Sequence, residues 1–238
     1  MHGFIVDAGP CPYLPDQHFT AFHPQGGDIG QPPYRQLMDA RFRRSGDHLY
    51  APICRTCEAC RPLRVDVLAF QPRRDQRRTA RRNADLIITW HPRGLDDERL
   101  DLYHRYQAQV HGKNPEVEGD PTSFLVADGG IPGGELHARN AAGTLLAVSC
   151  CDRFTDALSS VYCYYDPDHR DRALGTFMVL AELAFCRAHA LPWLYLGFHV
   201  AGCQAMAYKA RFVPHDLLVD GYWQRRAQPP GCDDGSAT

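Results

Sequence analysis

The sequence predicts an α+β protein, with a mixed but mostly antiparallel sheet covered by helices and a small cysteine-rich region ahead of it. Three observations predict this. Three strand-like stretches, GELHAR, TLLAVSCCDRF and ALSSVYCYYD, follow one another and lead into the best helix of the chain, ALGTFMVLAELAFCRAHA. A buried strand, PWLYLGFHV, a short helix, CQAMAYKARF, and a last strand, HDLLVD, come after it. In the first third, CRTCEAC sets Cys54, Cys57 and Cys60 three residues apart, just before an arginine-rich stretch.

The remaining elements follow in order. Residues 1–33 hold many Pro and Gly with little periodicity, so they are expected to be mostly loop. YRQLMDARFRRSG reads as a short helix ended by Gly46, and DHLYAPI as a strand leading into the thiols. In RPLRVDVLAF, Leu63, Val65 and Val67 alternate with Arg64, Asp66 and Leu68, the pattern of a half-buried strand. RRDQRRTARRNAD is a basic helix with Asn83 near its end, and LIITWH is a strand. DDERLDLYHRYQAQVH places Leu100, Tyr103, Tyr106 and Val110 at helical spacing, with Asp96 and Asp97 at the end where the helix dipole favours acids. Residues 112–120 read as a loop, NAAG as a hairpin turn between the first two strands of the meander, and the polar residues after about Arg226 as a disordered tail. The expected division is 1–88 for the cysteine and arginine region, 89–225 for the catalytic domain and 226–238 for the tail. Meander, long helix, strand, helix, strand is also the order of an N-acetyltransferase-like fold, an analogy of pattern.

With 238 residues and 44% hydrophobic content the chain can bury a real core. No run approaches the roughly 18 apolar residues of a membrane span, and the first residues lack a secretory pattern, so a cytoplasmic protein without membrane association is expected. Ten cysteines in that setting stay mostly reduced, which favours metal over disulfides for a cluster of them. The net charge is −2, yet Arg41 to Arg82 holds twelve arginines, no lysine and four acids. That stretch carries +8, a polyanion-facing region on an otherwise acidic chain, or else a solvated helix face.

Cys54, Cys57 and Cys60 converge on one ion if the backbone turns tightly, with Cys11 of PCPYLP as the natural fourth ligand. Four thiolates suit Zn²⁺ or an iron–sulfur cluster, although Arg64 stands where a bacterial ferredoxin run has its next cysteine. Three free thiols in a loop is the alternative, and His48 is a weaker ligand candidate. The other cysteines sit in apolar contexts as small buried hydrophobes, and Cys150 and Cys151, adjacent on a strand, face opposite sides.

PCPYLP, FRRSGDHLYAPICRTCEACRPLRV and FQPRRDQRRTARRNADL, followed by SSVYCYYDPD, LGTFMVL and WLYLGFHVAGCQAMAYKARFVPH, resemble the bacterial aminoacyl-tRNA–protein transferases over residues 11–223. The best match is the aspartate/glutamate leucyltransferase group, which is related to the eukaryotic arginyltransferases. The loop HGKNPEVEG departs from the small-residue-rich segment usual there, and Arg73 and Asp75 replace serines. The resemblance implies transfer of an aminoacyl group, leucine or alternatively arginine, from charged tRNA to the α-amine of proteins beginning with Asp or Glu, which creates an N-degron. No cofactor is required for that chemistry, because the ester is already activated. Oligomeric state is not legible.

The residues offer candidates for each task. Arg73, Arg77 and Arg81 share one helix face beside Arg74, Arg78 and Arg82, a ridge for tRNA phosphates. Gly175 at a helix start, with Arg170 and Arg172 beside it, offers a second phosphate site. Arg43, Arg44, Lys209 and Arg211 are candidates to read an acidic side chain. Asp166 orients the acceptor amine or takes its proton, or caps a turn before Pro167. Tyr164, Tyr208 and Tyr195 are candidates for oxyanion donation or base stacking, and His199 is ambiguous. Two rival readings stand beside this one: an acyl-CoA N-acetyltransferase with a metal-binding appendix, and a non-enzymatic, cluster-bearing RNA-binding or redox-sensing module.

Overall fold

A computed structural model describes residues 2–25, 33–114 and 121–228. Most of the expected 112–120 loop, the tail beyond 228 and Cys232 lie outside the described residues. Twelve strands form two sheets. The smaller has the order β1 (Gly3–Pro10), β2 (His18–Pro24), β4 (His48–Pro52), β3 (Arg43–Ser45). The larger runs β12 (Tyr222–Arg226), β11 (His215–Val219), β5 (Arg61–Asp66), β10 (Trp193–His199), β9 (Ala157–Tyr165), β8 (Leu145–Arg153), β7 (Gly133–Arg139), β6 (Ile87–His91). Its neighbours are antiparallel except β9 and β10. The helices are α1 (Pro33–Asp39), α2 (Arg74–Arg82), α3 (Asp97–His111), α4 (Thr122–Leu125), α5 (Leu174–Ala188) and α6 (Gln204–Ala207), with 3-10 turns at Pro167–Arg172 and Tyr208–Arg211. The α+β class and the mostly antiparallel, N-acetyltransferase-like sheet are as the sequence predicts. None of the described helices is long and apolar enough to cross a membrane.

Three expectations are corrected. Residues 3–24 are a β-hairpin, not loop, because Pro10, Pro12, Pro15 and Pro24 cluster at the strand ends and in the connection, leaving the interiors free to pair. The first helix stops at Asp39 instead of reaching Gly46. Arg41 turns into the left-handed region at φ 70°, and Arg43–Ser45 then pairs with β4. A strand follows β11 that the sequence reading did not pick out: Asp220 and Gly221, both at positive φ, turn the chain into β12.

Helix α5 packs its apolar side on one face of the large sheet, with Val179, Leu183 and Cys186 against Val65, Cys151, Leu158 and Leu194. Leu102, Tyr103 and Tyr106 of α3 cover the other face, against Val148, Cys150 and Tyr164. Cys150 and Cys151 thus face opposite sides, as expected. The connection through α5 makes β10 parallel to β9. Their pairing covers only Trp193–Tyr195 against Ala157–Ser159; beyond it β9 continues to Tyr165 and β10 to His199 without each other. The parting of these two strands creates the site.

The small sheet is tied to the large one by a buried ion cluster. Asp152, fully buried on β8, accepts from Arg44 Nη2 at 2.6 Å and from Arg93 Nη2 at 2.5 Å. Arg44 donates further to Gly46 O and Ala127 O. Removing the acid leaves buried Arg44 without a carboxylate and Arg93 with Asp128 alone. Asp152→Asn is expected to lower stability by about 3–5 kcal/mol in denaturant titration; a loss below about 1 kcal/mol would show that the cluster is not structural.

Candidate active site

A cleft of about 440 Å³ opens where β9 and β10 part. Ser160, Cys163 and Tyr165 form its β9 wall, and Gly175, Met178, Val179 and Glu182 of α5 its floor. Tyr106 and Val110 of α3 and Tyr208 behind β10 close the sides. The lining is mainly apolar, with Glu182 as its buried acid.

The start of α5 enters the cleft uncapped. Ala173 is left-handed at φ 52°, no side chain caps the helix, and its first turn holds no acid. Gly175 permits a close approach, since a Cβ there would lie 3.2 Å from Tyr165 Cε1. Arg170 reaches the cleft with the carbonyls of Pro167 and Gln109 as its hydrogen-bond partners. Arg172 does not reach it: its guanidinium pairs with Asp85 at 2.9 Å.

The three expected catalytic groups separate. Tyr208 lines the cleft. Tyr164 is buried against Tyr103 on the α3 side of the sheet, facing away from it. Asp166 has the turn role: it caps the 3-10 turn by accepting from Asp168 N–H at 2.9 Å, and it pairs with Arg105 at 3.1 Å. Burial pushes its carboxyl up, but these donors outweigh burial and hold it below the usual carboxylate range.

The residues proposed to read an acidic side chain also divide. Arg44 is engaged by Asp152, and Arg211 by Asp75. Arg43 and Lys209 come together at the end of β10. Gly197, at φ 75° beside a register shift, would place a Cβ 3.7 Å from Lys209 Nζ and 4.0 Å from Arg43 Nε. Arg43, 6% exposed, donates only to carbonyls, Phe42 O at 2.9 Å, Gly197 O at 3.3 Å and Met38 O at 3.5 Å, and its Nε has no partner. Its guanidinium lies over Phe198 and Tyr195. Lys209 Nζ donates to Phe198 O at 3.0 Å and touches Met206 Sδ. His199 Nε2 is buried nearby and unpartnered. Among the described residues no carboxylate bonds to either cation. Tyr195 lies under this cluster, its hydroxyl donating to Asp39 at 2.7 Å.

Helix α2 presents the arginine ridge. Gln76, its buried residue, accepts from Arg73 N–H and donates to Arg211 O, which ties the helix to the Tyr208–Arg211 turn. An open groove of about 860 Å³ is lined by Arg73, Arg74, Arg77, Arg78, Arg81, Arg211 and Asp75. Arg77 bonds to Pro72 O, Arg82 to Asp171 O, and Arg73 lies 3.7 Å from Asp75. Arg74, Arg78 and Arg81 are exposed and make no ion pair or hydrogen bond among the described residues.

The four expected thiols share one neighbourhood. Tyr13 N–H donates to Cys11 Sγ, Ala59 N–H to Cys57 Sγ, and Cys54 Sγ–H to Thr20 O. Burial, then the neighbouring Cys11, Cys54 and Cys57, push the Cys60 thiol up to about 12. The sulfur donor set suits zinc or an iron–sulfur cluster. Yet among the described residues no three His, Cys, Asp or Glu groups are close enough together to hold a metal ion, so no chemistry is routed through one. His48 is an exposed side chain beside Asp47.

Sequence reading missed Glu182, Tyr165, Tyr106 and Ser160. One signal was available for Glu182: an acid inside an otherwise apolar helix, seven residues after Gly175 and hence on its face.

A sheet of this order, parted over the bare start of a helix, has N-acetyltransferase-like architecture. The family model described as "Arginine-tRNA-protein transferase, N terminus" matches residues 9–78, and its C-terminal counterpart matches residues 98–219. The chain belongs to this family and is an aminoacyltransferase. It is 36% identical over 224 residues to an aspartate/glutamate leucyltransferase of Saccharophagus degradans, covering 92% of this chain and 94% of that one. Enzymes with the same name from Teredinibacter turnerae and Pseudomonas putida (strain W619) are each 38% identical, covering 90% of this chain and 89% and 92% of theirs. The solved C-terminal domain of an Agrobacterium fabrum protein described as a lysylphosphatidylglycerol synthetase superposes with a TM-score of 0.52 at 12% identity. It covers 89% of this chain and 82% of that one, and it shows the fold alone.

Burial, with the charge of Arg43 added, lowers Lys209 from 10.5 to about 7. Between those values the unfolded chain binds more protons than the folded one, so the cost of holding this amine inside grows as pH falls from about 10 to about 7, then levels. Lys209→Met is therefore expected to raise Tm, more at about pH 6.5 than at about pH 9.5. A gain independent of pH would refute the depressed pKa.

Proposed function

We propose that this protein transfers leucine from leucyl-tRNA to the α-amine of proteins that begin with Asp or Glu, marking them as N-degrons. The observation that carries the reading is the Arg43–Lys209 pair, a buried guanidinium and a half-buried amine to which no acid among the described residues bonds. Buried charge without a counterion is costly, and an acidic side chain entering from outside would relieve that cost. Val110, Leu174, Met178 and Val179 give the cleft walls suited to a leucyl group. The free guanidinium groups of α2 suit RNA phosphates, and the uncapped start of α5 suits a phosphate of the tRNA 3′ end. The relatives' name, aspartate/glutamate leucyltransferase, supports leucine as donor and an acidic acceptor.

Chemically, the donor ester is activated and the acceptor amine, with an ordinary pKa near 8, is partly neutral. Holding both reactants in line supplies about 7–11 kcal/mol of the barrier. Tyr208 at the cleft edge is placed to donate to the oxyanion as it forms. The cytoplasm, where charged tRNA is found, is the compartment this reading requires.

The test offers labelled leucyl- or arginyl-tRNA to peptides that begin with Asp, Glu or Lys. Leucine is expected on Asp and Glu peptides only, and Lys209→Met should lower kcat/KM for them by about 10- to 100-fold, the value of a charged hydrogen bond. Arginine transfer, or equal use of the Lys peptide, would overturn the reading. Replacing Arg74, Arg78 and Arg81 together by Ala is expected to weaken tRNA binding and to reduce the slope of log K against log salt by about 2–3, as measured by filter binding. An unchanged slope would remove α2 from the RNA surface.

A further inference from the structure

We propose that Glu182 is the general base of the transfer, accepting the proton of the acceptor α-amine as that amine attacks the aminoacyl ester. The proposal rests on the aminoacyl-transfer reading of the cleft and adds the group that handles its proton.

Glu182 is 1% exposed in the middle of α5, where its buried neighbours on the helix are Met178, Val179, Ala181, Leu183 and Cys186. It lines the cleft. Ser149 Oγ donates to Oε1, and Cys151 Sγ lies 3.7 Å from the same oxygen. Oε2 has no hydrogen-bond partner, and no guanidinium or ammonium group bonds to the carboxylate among the described residues. A buried acid with one oxygen bare costs several kcal/mol that an apolar residue at this position would avoid. Oε1 is anchored by Ser149, the Ser160 hydroxyl of the cleft wall bonds to the same carboxyl, and Oε2 is buried without a geometric partner at the cleft lining, the arrangement of a base awaiting a donor. The titratable and charged groups facing it are Cys151 from β8, Cys163 from β9, Cys186 on its own helix, and Tyr208 and Lys209 from the turn behind β10. Lys209 also belongs to the cation pair that reads the acidic side chain, so the two ends of an N-terminal Asp or Glu meet groups of opposite charge within one site.

Burial pushes the carboxyl up, opposed by hydrogen bonds from Ser149, Ser160 and Cys151 and by the charge of Lys209, which brings base and amine closer in proton affinity. In the step, the amine nitrogen bonds to the ester carbonyl carbon and its proton passes to Oε2. The bond from that carbon to the ribose 3′-oxygen breaks, and Oε2–H returns the proton to this oxygen. The products are an amide and a free 3′-hydroxyl, with the carboxylate regenerated and no redox partner needed.

Glu182→Gln keeps the shape and the acceptor for Ser149. The expected result is a kcat lower by about 10²- to 10⁴-fold, with tRNA affinity and peptide KM within a few-fold of wild type. In the wild type the step needs both a neutral amine and an ionised Glu182, so at low pH log kcat falls on two limbs, more steeply than first order. In the variant only the amine limb remains, and kcat rises with first-order slope up to the amine pKa near 8. Glu182→Asp is expected to keep the second limb at reduced kcat, and it carries the test if the Gln variant does not fold. A kcat within threefold of wild type, or a Gln profile parallel to the wild-type profile, would overturn the proposal. Both variants are assayed with whichever aminoacyl-tRNA and acceptor the wild type uses. Arginine transfer by the wild type would then overturn the leucine reading while still testing Glu182.

Discussion

The structure depends on one constraint: β9 and β10 are parallel neighbours that pair over three residues and then separate. A parallel pair needs a crossover, and α5 supplies it, starting beside the end of β9 and running back over the sheet face. The gap between the strands has no ladder to close it, so side chains line it instead. The helix start, the buried Glu182 and the tyrosine hydroxyls all border that gap because the crossover brings them there.

Around this gap the cations sort into two populations. Arg44, Arg93, Arg105, Arg172 and Arg211 are neutralised by acids of the chain and hold elements together. Arg43 and Lys209, with the exposed Arg74, Arg78 and Arg81, have no such acid among the described residues. In the first group the desolvation cost is offset within the fold; in the second, Arg43 and Lys209 carry that cost without a bonded carboxylate among the described residues, while Arg74, Arg78 and Arg81 remain in water. Composition alone, a net charge of −2, hides this division.

Much of the fold was legible. Alternation marked β5 and the β7–β9 meander, helical spacing marked α3 and α5, and the arginine run α2, because periodicity reports which face is buried whatever the partner is. The β1–β2 hairpin was not legible, since its prolines and glycines dominate a local window even though they stand at strand ends. In the site, the arginine ridge and the Arg43–Lys209 pair were identifiable by residue type. Arg44 and Arg172 looked the same in sequence, and only their acids, at positions 152 and 85, set them apart.

By itself, then, the sequence determined the class of fold and where positive charge is concentrated, because these follow from local periodicity and composition, and its motifs carried the family resemblance. Tertiary structure alone decided which tyrosine faces the cleft: Tyr165 does and Tyr164 does not, and alternation says only that they differ. It also decided that Ser160 joins Cys163 and Tyr165 on one face, because a bulge opposite Cys150 and Cys151 inserts a residue and reverses the count. Asp166 and Glu182 make the same point. Both are acids near the same cleft, but Arg105 saturates one while Oε2 of the other is buried without a geometric partner, and that difference exists only once distant segments meet.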